Sequence, residues 1–266
     1  MYDRFNRKIN YLRISVTDRC NLRCVYCMPE EGVKLLDHKD ILTFDEIVKV
    51  TETAVRKGVD KVRLTGGEPL VRKDIVKLVR MIGEIEGIKD YGMTTNGVLL
   101  DKYAQELADA GLQRVNISLD TMDKDRYRQI TRIGDIQKVF DGINAAKKAG
   151  LQPIKINCVI QNSSQEPDAV EVAEFCRKND LKVRFIKEMD LETGSFSVVE
   201  GGSGGDCAHC NRLRLTSDGK IKPCLFSDLG YSVRELGAEK AIGLALQNKP
   251  KSGLSNHSSK FYNIGG

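Results

Sequence analysis

The sequence has no tryptophan, only three histidines and only six prolines among 266 residues. The missing tryptophan carries no inference. Other absences do. No apolar run approaches the roughly 18 residues that a membrane-spanning helix needs. The first ten residues, MYDRFNRKIN, are polar and lack the apolar segment of a secretory signal. No long block of lysine or arginine is present, so the net charge of +5 suits an anionic small molecule at least as well as a nucleic acid. With 41% hydrophobic and 30% charged residues, the chain reads as an ordinary globular protein, expected in the cytoplasm with neither membrane nor nucleic acid as partner. Its length suits one large domain, or one domain plus an extension.

Cysteine, by contrast, is plentiful. The eight residues fall into two tight groups plus the isolated Cys158 and Cys176. A secreted chain would use that many in a disulfide framework, whereas tight groups fit metal clusters in a reducing compartment. Cys158 and Cys176 read as buried core thiols without a further role.

The rest of the chain is organised around LRISVTDRCNLRCVYCMP, from Leu12 to Pro29. It carries Cys20, Cys24 and Cys27. Three thiols cannot pair off without leaving one over. A structural zinc site normally takes four protein ligands, and no fourth Cys or His lies nearby. A cubane iron–sulfur cluster takes one thiolate per iron, so three cysteines leave one iron open to a small ligand. C-x3-C-x2-C is the signature of the radical S-adenosylmethionine (SAM) enzymes, and this segment resembles theirs. In that family the open iron chelates the amino and carboxylate groups of SAM, and an electron from the cluster cleaves SAM to a 5′-deoxyadenosyl radical. A three-cysteine zinc or redox site is the plainer alternative.

The pattern around this segment is α/β. Residues 11–17 alternate as a strand, with the cysteine loop at its C-terminal end, where (β/α) barrels place their chemistry. Thr43 opens TFDE, a capping box with Glu46, and predicts a helix to about residue 57 with Ile47, Val50 and Val55 on its apolar side. Strands are expected at 61–65, 91–95, 114–119, 154–160 and 183–186. Helices are expected near 73–85, at 101–110, 124–130, 135–149 and 167–178. Six strands, the first five each followed by helix, imply parallel pairing with right-handed crossovers. They are too few for an eightfold barrel and predict an open, partial (β/α)6 TIM-type barrel over residues 1–190. After the second strand stands Gly66-Gly67-Glu68-Pro69. Alone it could be a tight turn. After a strand, in a chain with the cysteine motif, it resembles the radical-SAM GGE motif that holds the SAM amino group.

Residues 191–206 are glycine-rich and read as a connector; the run GGSGG suits a linker, natural or inserted. Residues 207–266 form a C-terminal extension with a second group, Cys207, Cys210 and Cys224. Again there are three thiols and no obvious fourth; His209 reads as a spacer. A zinc ribbon lacking a ligand is one reading, and a second cubane with an open iron is the other. Arg212 and Arg214 alternate along an extended segment, so they point the same way and suit phosphate oxygens. The terminal Gly265-Gly266 reads as a frayed end or as a tail thin enough to enter a crowded site.

Together LRISVTDRCNLRCVYCMP, KVRLTGGEPLVRKD, MTTNG, NISLD, CNRLRLTSDGKIKPCLF and the closing IGG resemble the GTP 3′,8-cyclase family of radical SAM enzymes, which act first in molybdenum-cofactor biosynthesis. The resemblance implies a lyase that turns GTP into 3′,8-cyclo-GTP by hydrogen abstraction at ribose C3′. It implies two 4Fe–4S clusters: Cys20, Cys24 and Cys27 hold the one that takes SAM, and Cys207, Cys210 and Cys224 hold an auxiliary one that meets guanine. Tyr26, Gly66, Gly67, Glu68, Ser118 and Met189 would contact SAM. Arg13, Arg63, Thr94, Lys155, Arg212 and Arg214 would bind GTP, the last two also assisting catalysis with Gly265 and Gly266. A flavodoxin- or ferredoxin-type reductant and the downstream cyclic pyranopterin monophosphate synthase are the implied partners, and the family's dimer leaves homodimer and monomer both open. One departure is clear: the family's segment before the second cysteine group is longer and folded, so the lateral wall, the dimer contacts and the choice of substrate are where this chain would differ. A radical SAM peptide-modifying enzyme with an auxiliary cluster is the alternative activity. A metal-binding regulator is the non-catalytic one.

Overall fold

The computed structural model describes residues 1–258 and 261–264. Its centre is a run of parallel strands, β1 (Tyr11–Ser15), β2 (Lys61–Thr65), β3 (Asp90–Thr95), β4 (Arg114–Ser118), β5 (Lys155–Ile160) and β6 (Lys182–Lys187). Between them run α1 (Phe44–Arg56), α2 (Ile75–Gly83), α3 (Leu100–Asp109), α4 (Lys124–Thr131), α5 (Ile136–Lys148) and α6 (Pro167–Lys178). This is the expected alternation, with boundaries within about two residues of the sequence reading. Local chemistry explains several starts. Thr43 and Glu46 form the reciprocal capping box of α1, and Pro167 sits in the first turn of α6, where its missing N–H costs nothing.

One face of each strand is apolar. Leu12, Ile14, Val62, Leu64, Met93, Val115, Ile117, Ile156 and Cys158 are buried there, in one core with Ile47, Leu78, Leu107 and Val139 from the helices. Cys176 of α6 belongs to the same core, and both isolated thiols are fully covered. Strand residues alternate between faces, so Arg13, Arg63, Thr94, Asn116 and Lys155 all fall on the opposite, concave face.

The sheet does not stop at six strands. β7 (Arg212–Leu215), from the C-terminal extension, pairs in parallel with β1, and β8 (Lys220–Lys222) and β9 (Tyr231–Ser232) follow antiparallel. The extension therefore continues the barrel wall: β6 lies at one edge of the nine-stranded sheet and β7 beside β1 in its interior. It ends in α7 (Val233–Leu236), α8 (Ala238–Gln247) and α9 (Phe261–Ile264).

The glycine-rich connector is also built in. Glu200 bridges to Phe185 of β6, and Arg212 donates to the Ser203 carbonyl, 2.9 Å away. Phe196 stacks on Phe226 at 4.4 Å, and Leu191 joins a second small core with Leu225, Phe226 and Ile264. Gly205 has φ of +76°, and a Cβ there would lie 1.9 Å from the Ser197 carbonyl. Only glycine fits that turn. The segment is a strap from β6 to β7, held at both ends.

Candidate functional site: two three-cysteine centres on one concave face

The first centre grows from the end of β1. The chain leaves the sheet and turns so that the Cys27 and Met28 amides both donate to the Cys24 carbonyl, at 3.0 Å each. The β2 loop packs directly beneath. The Gly67 amide donates to Thr17 and the Glu68 amide to Arg19, both at 2.8 Å. A Cβ on Gly67 would fall 2.4 Å from the Arg19 carbonyl, so the second glycine of GGEP permits two backbones to touch. Glu68 is buried and already accepts three bonds: from the Leu70 amide, the Thr95 hydroxyl and the Asn96 amide. It therefore ties the β2 loop to the β3 loop. Burial outweighs those bonds and lifts its carboxyl to about 7.

Cys20, Cys24 and Cys27 line a cavity of about 200 Å³ at the C-terminal ends of the strands. Tyr26, Gly66, Gly67, Glu68, Thr94, Ser118 and Met189 line the same cavity. The sequence reading thus named six residues for one ligand, and the fold gathers all six around one space. Phe261 and Tyr262 of α9 close one side. Gly265 and Gly266 lie outside the described residues. Several lining residues escaped the sequence reading, Asn96, Asn157 and Val159 among them. Asn96 donates to Asn21 Oδ1 at 2.8 Å and lies 3.8 Å from Cys20 Sγ. Asn157 and Val159, on alternate positions of β5, face the cavity as well. Behind it, the Tyr26 hydroxyl donates to Asp120 at 2.7 Å. Burial lifts the Asp120 carboxyl to about 6.

Arg13, Arg63 and Lys155 do not line that cavity; they stand lower on the same face. Strand register puts Arg214, Arg13 and Arg63 in one row across β7, β1 and β2, and Thr94, Asn116 and Lys155 in another across β3, β4 and β5. Sequence reasoning missed Arg184, which pairs with Asn157 across β6 and β5; the alternation of KVRFIK was the available signal. Burial, then Arg184, pulls the Lys155 ammonium down to about 8. Burial, then Arg212, pulls Arg214 down to about 10. Buried and without a hydrogen-bond partner on this face are Arg63 Nη1, Thr94 Oγ1, Asn116 Oδ1, Asn157 Oδ1 and Arg184 Nε. Buried polar groups are normally satisfied; the unsatisfied donors Arg63 Nη1 and Arg184 Nε and the Thr94 hydroxyl suit an anion, and the Asn116 and Asn157 oxygens can accept from a ligand's own donors.

The second centre borders that row. Cys207 and Cys210 precede β7 and Cys224 follows β8, so the two antiparallel strands carry the segments together. His209 is exposed, with its ring nitrogen 2.8 Å from Asp206. Arg7, in the N-terminal lead-in, donates to the carbonyls of Cys207, Pro250 and Lys251 and pairs with Asp3. No sequence signal marked it.

All six cysteines are free thiols. Among the described residues no three His, Cys, Asp or Glu side chains close around one point as a single metal ion requires. A cubane spreads its thiolates, one per iron, and the donor sets suit it. At each centre a sulfur accepts the amide two residues on: Leu22 to Cys20, Arg212 to Cys210 and Phe226 to Cys224. Such amide bonds to sulfur are one lever by which proteins hold and tune these clusters.

Residues 14–176 match the Radical SAM superfamily, and 177–262 match Molybdenum Cofactor Synthesis C. A GTP 3′,8-cyclase of Thermodesulfovibrio yellowstonii is 43% identical over 282 residues, covering 89% of this chain and 88% of that protein. A GTP 3′,8-cyclase of Listeria monocytogenes is 41% identical over 302, covering 94% and 91%. Both aligned spans exceed the 266 residues here, so these relatives hold residues within the span that this chain lacks. Among solved structures, anSMEcpe with bound AdoMet has a TM-score of 0.65 at 16% identity, covering 91% of this chain and 81% of that one. Streptococcus suis SuiB bound to S-adenosylmethionine gives 0.63 at 17%, covering 92% and 65%, so this chain spans just under two thirds of SuiB. At such identities these two speak for the fold alone. Among the described residues no helix is long and apolar enough to cross a membrane. A radical SAM core brings one 4Fe–4S cluster and SAM as its cofactors, and at 41–43% identity to those two cyclases across most of its length the chain belongs to the GTP 3′,8-cyclase family of the Radical SAM superfamily.

Proposed function

We propose that this chain converts GTP to 3′,8-cyclo-GTP for molybdenum-cofactor biosynthesis, with a second 4Fe–4S cluster held by Cys207, Cys210 and Cys224. The observation that carries this reading is the cationic row Arg214–Arg13–Arg63, with Arg214 beside Cys210 and Cys224 at one end and Arg13 on the strand that leads into the first cysteine loop. When bound, the clusters and SAM supply the radical that takes hydrogen from ribose C3′ and the electron that completes closure onto guanine C8.

The chain's own residues bind, orient and shield. Tyr26, Gly66, Gly67, Glu68, Ser118 and Met189 enclose SAM at the strand ends. Arg13, Arg63, Lys155, Arg212 and Arg214 take the triphosphate, and Thr94 supplies a hydroxyl between the two ligands. Fixed cations that are desolvated before the ligand arrives need little rearrangement on binding, which favours one orientation of the ribose. Gly265 and Gly266 follow directly on α9, whose Phe261 and Tyr262 face the cavity, and are proposed to assist closure. The strap of residues 190–206 serves as the lateral wall that a longer segment forms elsewhere in the family. The same reading places the chain in the cytoplasm, with a flavodoxin- or ferredoxin-type donor, cyclic pyranopterin monophosphate synthase downstream, and a homodimer as the form to test.

Anaerobic protein incubated with SAM, GTP and dithionite should yield 5′-deoxyadenosine and 3′,8-cyclo-GTP in step. Deoxyadenosine without GTP consumption would turn the reading toward peptide modification.

A further inference from the structure

Lys249 follows α8 and is 2% exposed, among the largest fully buried side chains. Its Nζ donates to the Arg212 carbonyl at 2.8 Å and to the Pro223 carbonyl at 2.5 Å. Those carbonyls flank the second centre: Arg212 lies two residues after Cys210, and Pro223 immediately precedes Cys224. The ammonium therefore ties together the two segments that carry these thiols. Its electrostatic partners are unusual. The groups that most favour its charge are Cys210 and Cys224, through their thiolate forms, and the next group acting on it is a cation, Arg7. Among the described residues it makes no ion pair with a carboxylate. Lys222 of β8, also buried, has carboxylates, Asp228 and Asp218, among the groups that favour its charge. A buried ammonium without a carboxylate partner is costly, so the fold holds this cation for an anion that belongs beside it. A cubane on three thiolates is such an anion, and it becomes more negative on taking up one electron.

Building on the second-cluster reading above, we propose that Lys249 is the positioning and potential-setting residue of the Cys207–Cys210–Cys224 centre: its carbonyl bonds fix the spacing of two ligand segments, and its charge favours the one-electron-reduced cluster. It touches neither SAM nor GTP in this role. Nothing in the sequence singles it out, since a lysine between Asn248 and Pro250 looks like a solvated turn.

The test uses the full chain carrying Cys24→Ala, so that the second cluster alone contributes to the spectrum, with dithionite as the electron source. Its midpoint is read by EPR-monitored redox titration, and iron and sulfide are counted. Lys249→Gln keeps a donor but loses the charge; Lys249→Arg keeps both. The expected result is at least a tenfold loss in the equilibrium constant for cluster reduction in K249Q, about 59 mV for a one-electron couple, with K249R within threefold of its parent. A cluster retained by K249R and lost by K249Q supports the proposal equally. A midpoint unchanged in K249Q overturns it, as does an equal change or equal loss of cluster in both variants. If the Cys24→Ala parent itself holds no cubane, the second-cluster reading fails, a result distinct from failure at Lys249.

Discussion

The two cysteine centres use the same three thiols and surround them with opposite charge. Around Cys20, Cys24 and Cys27 the buried ionisable neighbours are acidic. Burial, then Cys20 and Asp120, lifts the Cys27 thiol to about 12. Burial, then Cys27 and Asp120, raises Cys24 further still. Around Cys210 the neighbours are cations. Burial alone would raise that thiol, but Lys249 and Arg212 outweigh it and hold it at about 7. Under the proposed function the contrast bears on which ligand each centre would take. SAM, with its sulfonium and ammonium, would sit where carboxyl groups such as Glu68 and Asp120 are buried. A nucleoside triphosphate, with several negative charges, would sit beside Arg212, Arg214 and Lys155.

The largest expected effects break the pair apart. Cys24→Ala should abolish deoxyadenosine formation altogether, while Cys210→Ala should leave SAM cleavage running and abolish 3′,8-cyclo-GTP, both read by chromatography of anaerobic assays. Cyclisation surviving Cys210→Ala would end the division of labour. A smaller effect is visible without any metal. A thiol near 7 is about half thiolate at neutral pH, whereas one near 12 is almost wholly protonated, and the thiolate is the nucleophile. In the metal-free chain at pH 7, Cys210 should be alkylated at least about tenfold faster than Cys27, as mass spectrometry of timed iodoacetamide samples would show.

The smallest effect sharpens the anionic side. Lys155 is held near 8 in the free protein because burial and Arg184 disfavour its charge. A bound triphosphate would restore the charge, so affinity for GTP is full below that value and falls as pH rises through it. Between pH 7 and pH 8.5 the loss should be about fourfold, measured by calorimetric titration. Lys155→Arg, which stays charged, should flatten the profile; a flat wild-type profile would place Lys155 away from the phosphates.

Much of this was legible in the sequence because it depends on local spacing. The capping box at Thr43, the strand at 61–65 and the helix at 167–178 are each set by neighbouring residues. The cysteine loop and GGEP were readable for the same reason. What the sequence concealed is contact between distant segments. That β7 returns to lie beside β1, and so aligns Arg214 with Arg13, is a pairing across some 200 residues that no local pattern encodes. Arg7 and Lys249 look like surface residues until the fold buries them at the second centre. The glycine-rich connector read as slack chain because composition does not report that Gly205 is pressed against Ser197.

The central claim, two cubanes in opposite electrostatic settings with separate ligands, is tested most directly by EPR of the reduced, anaerobically reconstituted protein, with SAM and GTP added one at a time. SAM should shift the signal of the cluster that remains in Cys210→Ala, and GTP the signal of the one that remains in Cys24→Ala. Both additions acting on one and the same cluster, or zinc in place of iron at the second centre, would contradict the account.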